Sequence, residues 1–135
     1  MNNHLFLRAY MAAIVLPSWF LLVVLVGYVT GRVVYQMPAP IERMIVFPMA
    51  AVPNLWGLWN LLYVAIVPKR RIALGAWGAL LPLILVPGGL ELQKLLNISL
   101  FTTTEALAAL PLIAAVYYLV WKHAVGFFNR VAGVE

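Results

Sequence analysis

Cysteine is absent from this chain of 135 residues. Disulfides, thiol nucleophiles and thiolate-bound metals or clusters are thereby excluded. Histidine occurs only at His4 and His123, each without a second histidine or an acid three or four residues further on. Neither a metal set nor a pair of haem-ligating imidazoles inside a span is expected from them. Charge is scarce as well: 10% of the residues are charged, against about 25% in soluble domains. None of the four acids sits in the middle of an apolar run, where a proton-coupled carrier usually needs one. With no nucleophile–base pair, acidic dyad or metal set, the expectation is a protein that is not an enzyme and takes no cofactor.

What the chain has in excess is apolar surface. Hydrophobic residues make up 65% of it, against about 45–50% in soluble domains. A soluble fold of this size has too little interior to hide them, and exposed apolar surface on that scale aggregates. Lipid is the solvent that fits. The net charge of +5 comes from basic residues lying between and beyond the apolar runs, where they set topology and meet anionic headgroups. Nucleic acid is not an expected partner.

A transmembrane helix needs about 20 largely apolar residues. The first stretch that qualifies runs uncharged from Ala9 to Gly31. It is too long for the apolar core of a secretory signal and no small-x-small cleavage pattern follows it, so a retained helix is expected. The second, Met44–Val67, is approached through Pro38-Ala39-Pro40 and ended by Pro68-Lys69-Arg70-Arg71, both edges being places where proline is favoured. The third runs from Ile72 to about Leu90, with Pro87-Gly88-Gly89 marking a break or kink near its far end. The fourth begins at Thr102-Thr103-Thr104-Glu105, a capping-box pattern, and continues to about Phe128. Continuous apolar runs of this length are not the alternating ten-residue segments of a barrel. Between the third and fourth runs, Glu91, Lys94 and Asn97 recur every third residue among leucines. This predicts a short amphipathic helical segment over 90–101, lying at the interface or continuing the third helix. Asn97-Ile98-Ser99 also matches a glycosylation acceptor, a weak three-residue pattern.

The fold expected is all-α: an integral membrane four-helix bundle forming a single domain over 1–135, with helices near 9–31, 44–67, 72–90 and 105–128. Arg8, Lys69, Arg70, Arg71, Lys122 and Arg130 would share one side, against Arg32, Arg43 and Lys94 on the other. That two-to-one excess predicts both termini on the cytoplasmic side, and the bacterial inner membrane as the location. Tyr10, Tyr28, Tyr35, Tyr63 and Trp121 lie near run ends and are expected to anchor at the interfaces.

The second run holds the cluster of polar groups within the spans. At 100° per residue, Pro53, Trp56, Gly57, Asn60 and Tyr63 share one face and Asn54 points elsewhere. An amide in hydrocarbon needs a partner. The candidate site is therefore Asn54, Trp56, Trp59, Asn60 and Tyr63, either as glue between helices or as a ligand site walled by the two indoles. Each predicted span also holds a proline well inside it: Pro17, Pro48 with Pro53, Pro82, and Pro111. These either shape a cavity or reflect the ordinary frequency of proline in membrane helices. Glu42 and Glu105 read as first-turn carboxylates favoured by the helix dipole. Each precedes a proline by six residues, a spacing that two related helix pairs would produce. Gly75 and Ala79, four apart, would let a neighbouring helix approach closely.

These features point to a small polytopic membrane protein acting non-enzymatically, as an accessory subunit of a membrane complex or a self-associating helix bundle. Its partners would be the lipid bilayer and either further copies of itself or a larger complex. The alternative is a small oligomeric transporter or channel with a cavity lined by proline-kinked helices. Orientation has a direct check, since any introduced cysteine is unique. A cysteine placed beside Arg70 should stay unlabelled by an impermeant thiol reagent added outside intact cells; labelling there would reverse the assignment.

Overall fold

The computed structural model describes residues 4–38, 51–67, 71–99 and 101–134, and every regular element among them is helical. We number these α1 (Leu5–Val33), α2 (Val52–Ile66), α3 (Leu74–Leu80), α4 (Pro82–Leu95), α5 (Thr103–Val120) and α6 (Gly126–Val131), with a wide π turn at Trp121–Val125 joining the last two. Three continuous helical stretches are long and apolar enough to cross a membrane: Leu5–Val33, Leu74–Leu95 and Thr103–Val131. The first half of the second expected helix, including Glu42, Met44 and Pro48, lies outside the described residues; its second half is α2.

The helix ends follow the local chemistry. Thr102 caps α5 by accepting from the Glu105 amide at 3.2 Å, while the Glu105 carboxylate accepts from the Thr102 amide at 2.8 Å, the reciprocal box expected from these residues. At the other end of α4, Asn97 takes a left-handed φ of 52°. Its amide donates to the Lys94 carbonyl at 3.1 Å and that of Ile98 to the Gln93 carbonyl at 2.9 Å. This is the Schellman arrangement, in which asparagine serves where glycine is commonest. Gly133 closes α6 in the same way, with φ 66°, its amide donating to the Arg130 carbonyl at 3.1 Å and that of Val134 to the Asn129 carbonyl at 2.8 Å. Thus the amphipathic segment continues the third helix as far as Leu95, with exposed Glu91 and Lys94 paired at 2.7 Å. Its helix stops before Phe101, because Asn97 turns the backbone out of register.

The interruption of the third run also falls elsewhere than expected. Pro87-Gly88-Gly89 lies inside α4. The hydrogen-bond ladder is disturbed instead at Leu81, ahead of Pro82, where the backbone stays helical with φ −61° and ψ −40°. Pro82 has no N–H to offer the Gly78 carbonyl, which instead accepts from Leu81 at 3.1 Å in a tightened turn.

Packing joins α1 to α2, α3 to α5, and α4 to α5, while the π turn and α6 close against α1. The central cluster contains Ala13, Trp56, Tyr63, Leu74, Leu81, Trp121 and Val125. Tyr63 and Trp121, expected as interfacial anchors, are instead buried in it, at 5% and 0% exposure. An indole this deep requires space on the facing helix. Gly78 supplies it: a Cβ there would stand 2.0 Å from Trp121 Cγ and 2.3 Å from its Cβ, and one at Gly75 would stand 2.9 Å from the Tyr118 carbonyl oxygen. Close approach therefore uses Gly75 with Gly78, three apart, with Ala79 only half-buried. Alanine at Gly78 gains about 1 kcal/mol of helix propensity but drives a methyl into the rigid root of a fully buried side chain, and overpacking costs about 1–3 kcal/mol. The expected outcome is a lower unfolding midpoint for Gly78→Ala in detergent. Gly27→Ala, where a Cβ meets nothing within 4 Å, should be neutral or stabilising in the same measurement.

Candidate functional site

The face of α2 that points inward is Pro53, Trp56, Gly57, Asn60 and Tyr63, the set predicted from the 100° spacing. Asn60 stands at its centre with no exposed surface. Its Nδ2 donates to the Ala9 carbonyl at 2.6 Å and to Asn129 Oδ1 at 2.7 Å, and Asn129 Nδ2 donates back to Asn60 Oδ1 at 3.2 Å. Two amides pair face to face, and one of them also holds the backbone of α1. The start of α1, the end of α2 and α6 are thereby tied at a single end of the molecule.

The neighbouring polar atoms are similarly engaged. Trp56 Nε1 donates to the Tyr117 hydroxyl at 3.3 Å, and the Trp56 ring meets the Tyr117 ring edge-on at 5.2 Å and the Trp121 ring at 5.5 Å. Trp59 and Trp77 stack at 4.7 Å, each indole donating to the other's backbone carbonyl, at 2.9 and 3.0 Å. Tyr63 donates its hydroxyl proton to the Ile72 carbonyl at 3.0 Å, fastening the end of α2 to the start of the third helical run. Asn54 lies apart on the exposed side of α2, where its Oδ1 accepts from the Tyr10 hydroxyl.

Four of the five expected site residues therefore lie together, and Asn54 does not join them. The spacing of α2 alone could not identify the partners: Asn129, Trp77, Tyr117 and Trp121 come from other helices. A trace of Asn129 was present in the sequence, since it follows Trp121 and Val125 at steps of four. Trp121 carries an unspent group. Its Nε1 is buried and has no hydrogen-bond partner among the described residues.

The groups gathered here are amides, indoles and phenols. Among the described residues no three of His, Cys, Asp and Glu gather where they could hold a metal. What the arrangement does is bond helices to one another. Comparison of the chain with known protein families, curated proteins and solved structures finds no match.

Leucine at either asparagine strands the other amide in a site without water. Interhelical hydrogen bonds in membranes average about 0.6 kcal/mol and reach about 1.7, while an orphaned buried amide costs about 1–3 kcal/mol. Asn60→Leu and Asn129→Leu should each lower the unfolding midpoint, and the double variant should lose less than the sum of the two. Strict additivity in that double-mutant cycle would show that the pair is not coupled.

Proposed function

We propose that this protein works without chemistry of its own, as a small helical membrane subunit whose outer faces meet lipid and a larger complex or further copies of itself. The observation that carries this reading is the state of the inward polar atoms. Asn60, Trp59, Tyr63 and Trp56 each direct their side-chain donors to another helix or to the adjoining turn. A ligand site would instead keep convergent donors and acceptors free in a concave space. Hydrogen bonding between helices is the use membrane bundles make of such residues.

In this reading four helices cross the membrane, and α2 belongs to the second of them. Both termini lie on the cytoplasmic side of a bacterial inner membrane. The tie from Asn60 to Ala9 and Asn129 supports placing the termini together, and the surplus of Arg and Lys expected at that end supports its facing the cytoplasm. The transporter reading calls for a cavity lined by proline-kinked helices; among the described residues, a groove of about 300 Å³ lined by Val24, Gly27, Tyr28, Gly31, Arg32 and Met37 touches neither a proline nor the Asn60 cluster.

Gentle extraction from native membranes, followed by mass measurement of the intact particle, tests the proposal. The expected result is a stoichiometric complex with a larger membrane protein, or a defined homo-oligomer free of small molecules. A homo-oligomer carrying a bound small molecule would favour transport, and a lone monomer would overturn the subunit reading.

A further inference from the structure

Between α5 and α6 the helix widens for a single turn, and the Gly126 amide donates to the Trp121 carbonyl five residues back. Such turns are rare in helices and commonly serve a purpose. Its effect here follows from helical geometry. In an α-helix four residues advance the face by about 40°, so the three steps from Tyr117 through Trp121 and Val125 to Asn129 would carry Asn129 about 120° off. Yet Tyr117 packs against the central cluster and Trp121, Val125 and Asn129 are all at 0% exposure, facing the same interior, while Lys122, His123 and Phe127 face outward. One extra residue taken up in a wide turn removes about 100° of that drift.

We propose that the π turn at Trp121–Val125 is a register device: it rotates α6 so that Asn129, and not Phe128, meets Asn60. The last helix thereby becomes a clasp over the start of α1 and the end of α2. The clasp has three fixed points. Trp121 is seated against Gly78, Val125 lies in the central cluster, and Asn129 exchanges hydrogen bonds with Asn60. Releasing the extra residue into α geometry would turn α6 by about 100° and break the third point while leaving the first in place.

Changes of chain length separate this from a turn that is merely tolerated. Deleting Ala124 puts Trp121, Val125 and Asn129 at the i, i+3, i+7 spacing at which an ordinary helix presents one face. The deletion chain should keep the Asn60 pairing, and Asn129→Leu should lower its unfolding midpoint as in the parent. Inserting one alanine after Gly126 should turn Asn129 away and bring Phe128 to its place. There Asn129→Leu should leave the midpoint unchanged, and Phe128→Asn should raise it. The deletion chain retains the native face, so it decides the matter even if the insertion chain fails to fold. Insensitivity of the deletion chain to Asn129→Leu, or continued sensitivity of a folded insertion chain, would overturn the proposal.

Discussion

A fully buried amide has to find its hydrogen bonds within the protein, and that constraint organises this molecule around Asn60. Its side chain must find acceptors and donors within protein, and it finds them on two helices at once: the Ala9 carbonyl of α1 and the Asn129 amide of α6. The pairing is reciprocal, so neither amide is satisfied without the other. Apolar contacts distinguish poorly between helix rotations, because lipid tails are as apolar as leucine. A buried polar pair does distinguish them, since a rotated α6 leaves Asn129 without its partner and Asn60 with only the Ala9 carbonyl. Ala9, Ala12 and Ala13 line this end of α1 without exposed bulk, which lets the α1 backbone come within reach of an α2 side chain.

The aromatic cluster builds on that frame by a different means. Trp121 is inserted where Gly78 leaves space, and Trp59 and Trp77 each satisfy their indole on the other's backbone. Trp121 Nε1 has no such partner among the described residues, and the fit of its ring against Gly78 is what seats it. A core that tolerates one unbonded indole while bonding every amide at its centre ranks its polar groups by cost: an amide left bare loses both donors and an acceptor, an indole a single donor.

Much of this arrangement was legible before any coordinates, and what was legible was local. The inward set on α2 follows from 100° steps, and the Thr102–Glu105 cap follows from residue type. Both depend only on neighbours within two turns. Pro87-Gly88-Gly89 is the stronger breaker by composition, yet the helix runs through it, and the ladder is disturbed at Leu81 instead. A helix in apolar surroundings has no water to take up the freed bonds, so it continues where it can. Tyr63 and Trp121 were misread for a related reason. Position near a run end suggests an anchor, but the facing surface, Gly78 in the case of Trp121, decides whether a ring has somewhere to go. Asn97 resembled a glycosylation acceptor and is a helix cap, because its left-handed φ is a property of the turn rather than of the three-residue pattern. For Asn129 the local pattern offers only its spacing from Trp121 and Val125, since its role depends on a turn that shifts the helical face by one residue.

The distribution of burial bears on what the exterior is for. On α1 the buried residues all lie between Ala9 and Leu21; α4 buries only Pro82, and α5 buries none. The well-packed part is thus the end where Asn60, Trp121 and Asn129 meet. Residues such as Trp19, Phe20, Val23 and Val26 on α1, and Leu107, Leu112 and Leu119 on α5, stand exposed and apolar. If the polar groups are spent on internal bonding, as the proposed reading holds, an outside partner in the membrane would be recognised by the shape of these faces, through close packing rather than hydrogen bonds. Rigidity at the clasped end would then matter to the partner as well. Packing specificity between apolar helices requires that each present a fixed surface, and the rotation of α5 and α6 is fixed by one turn and one pair of amides.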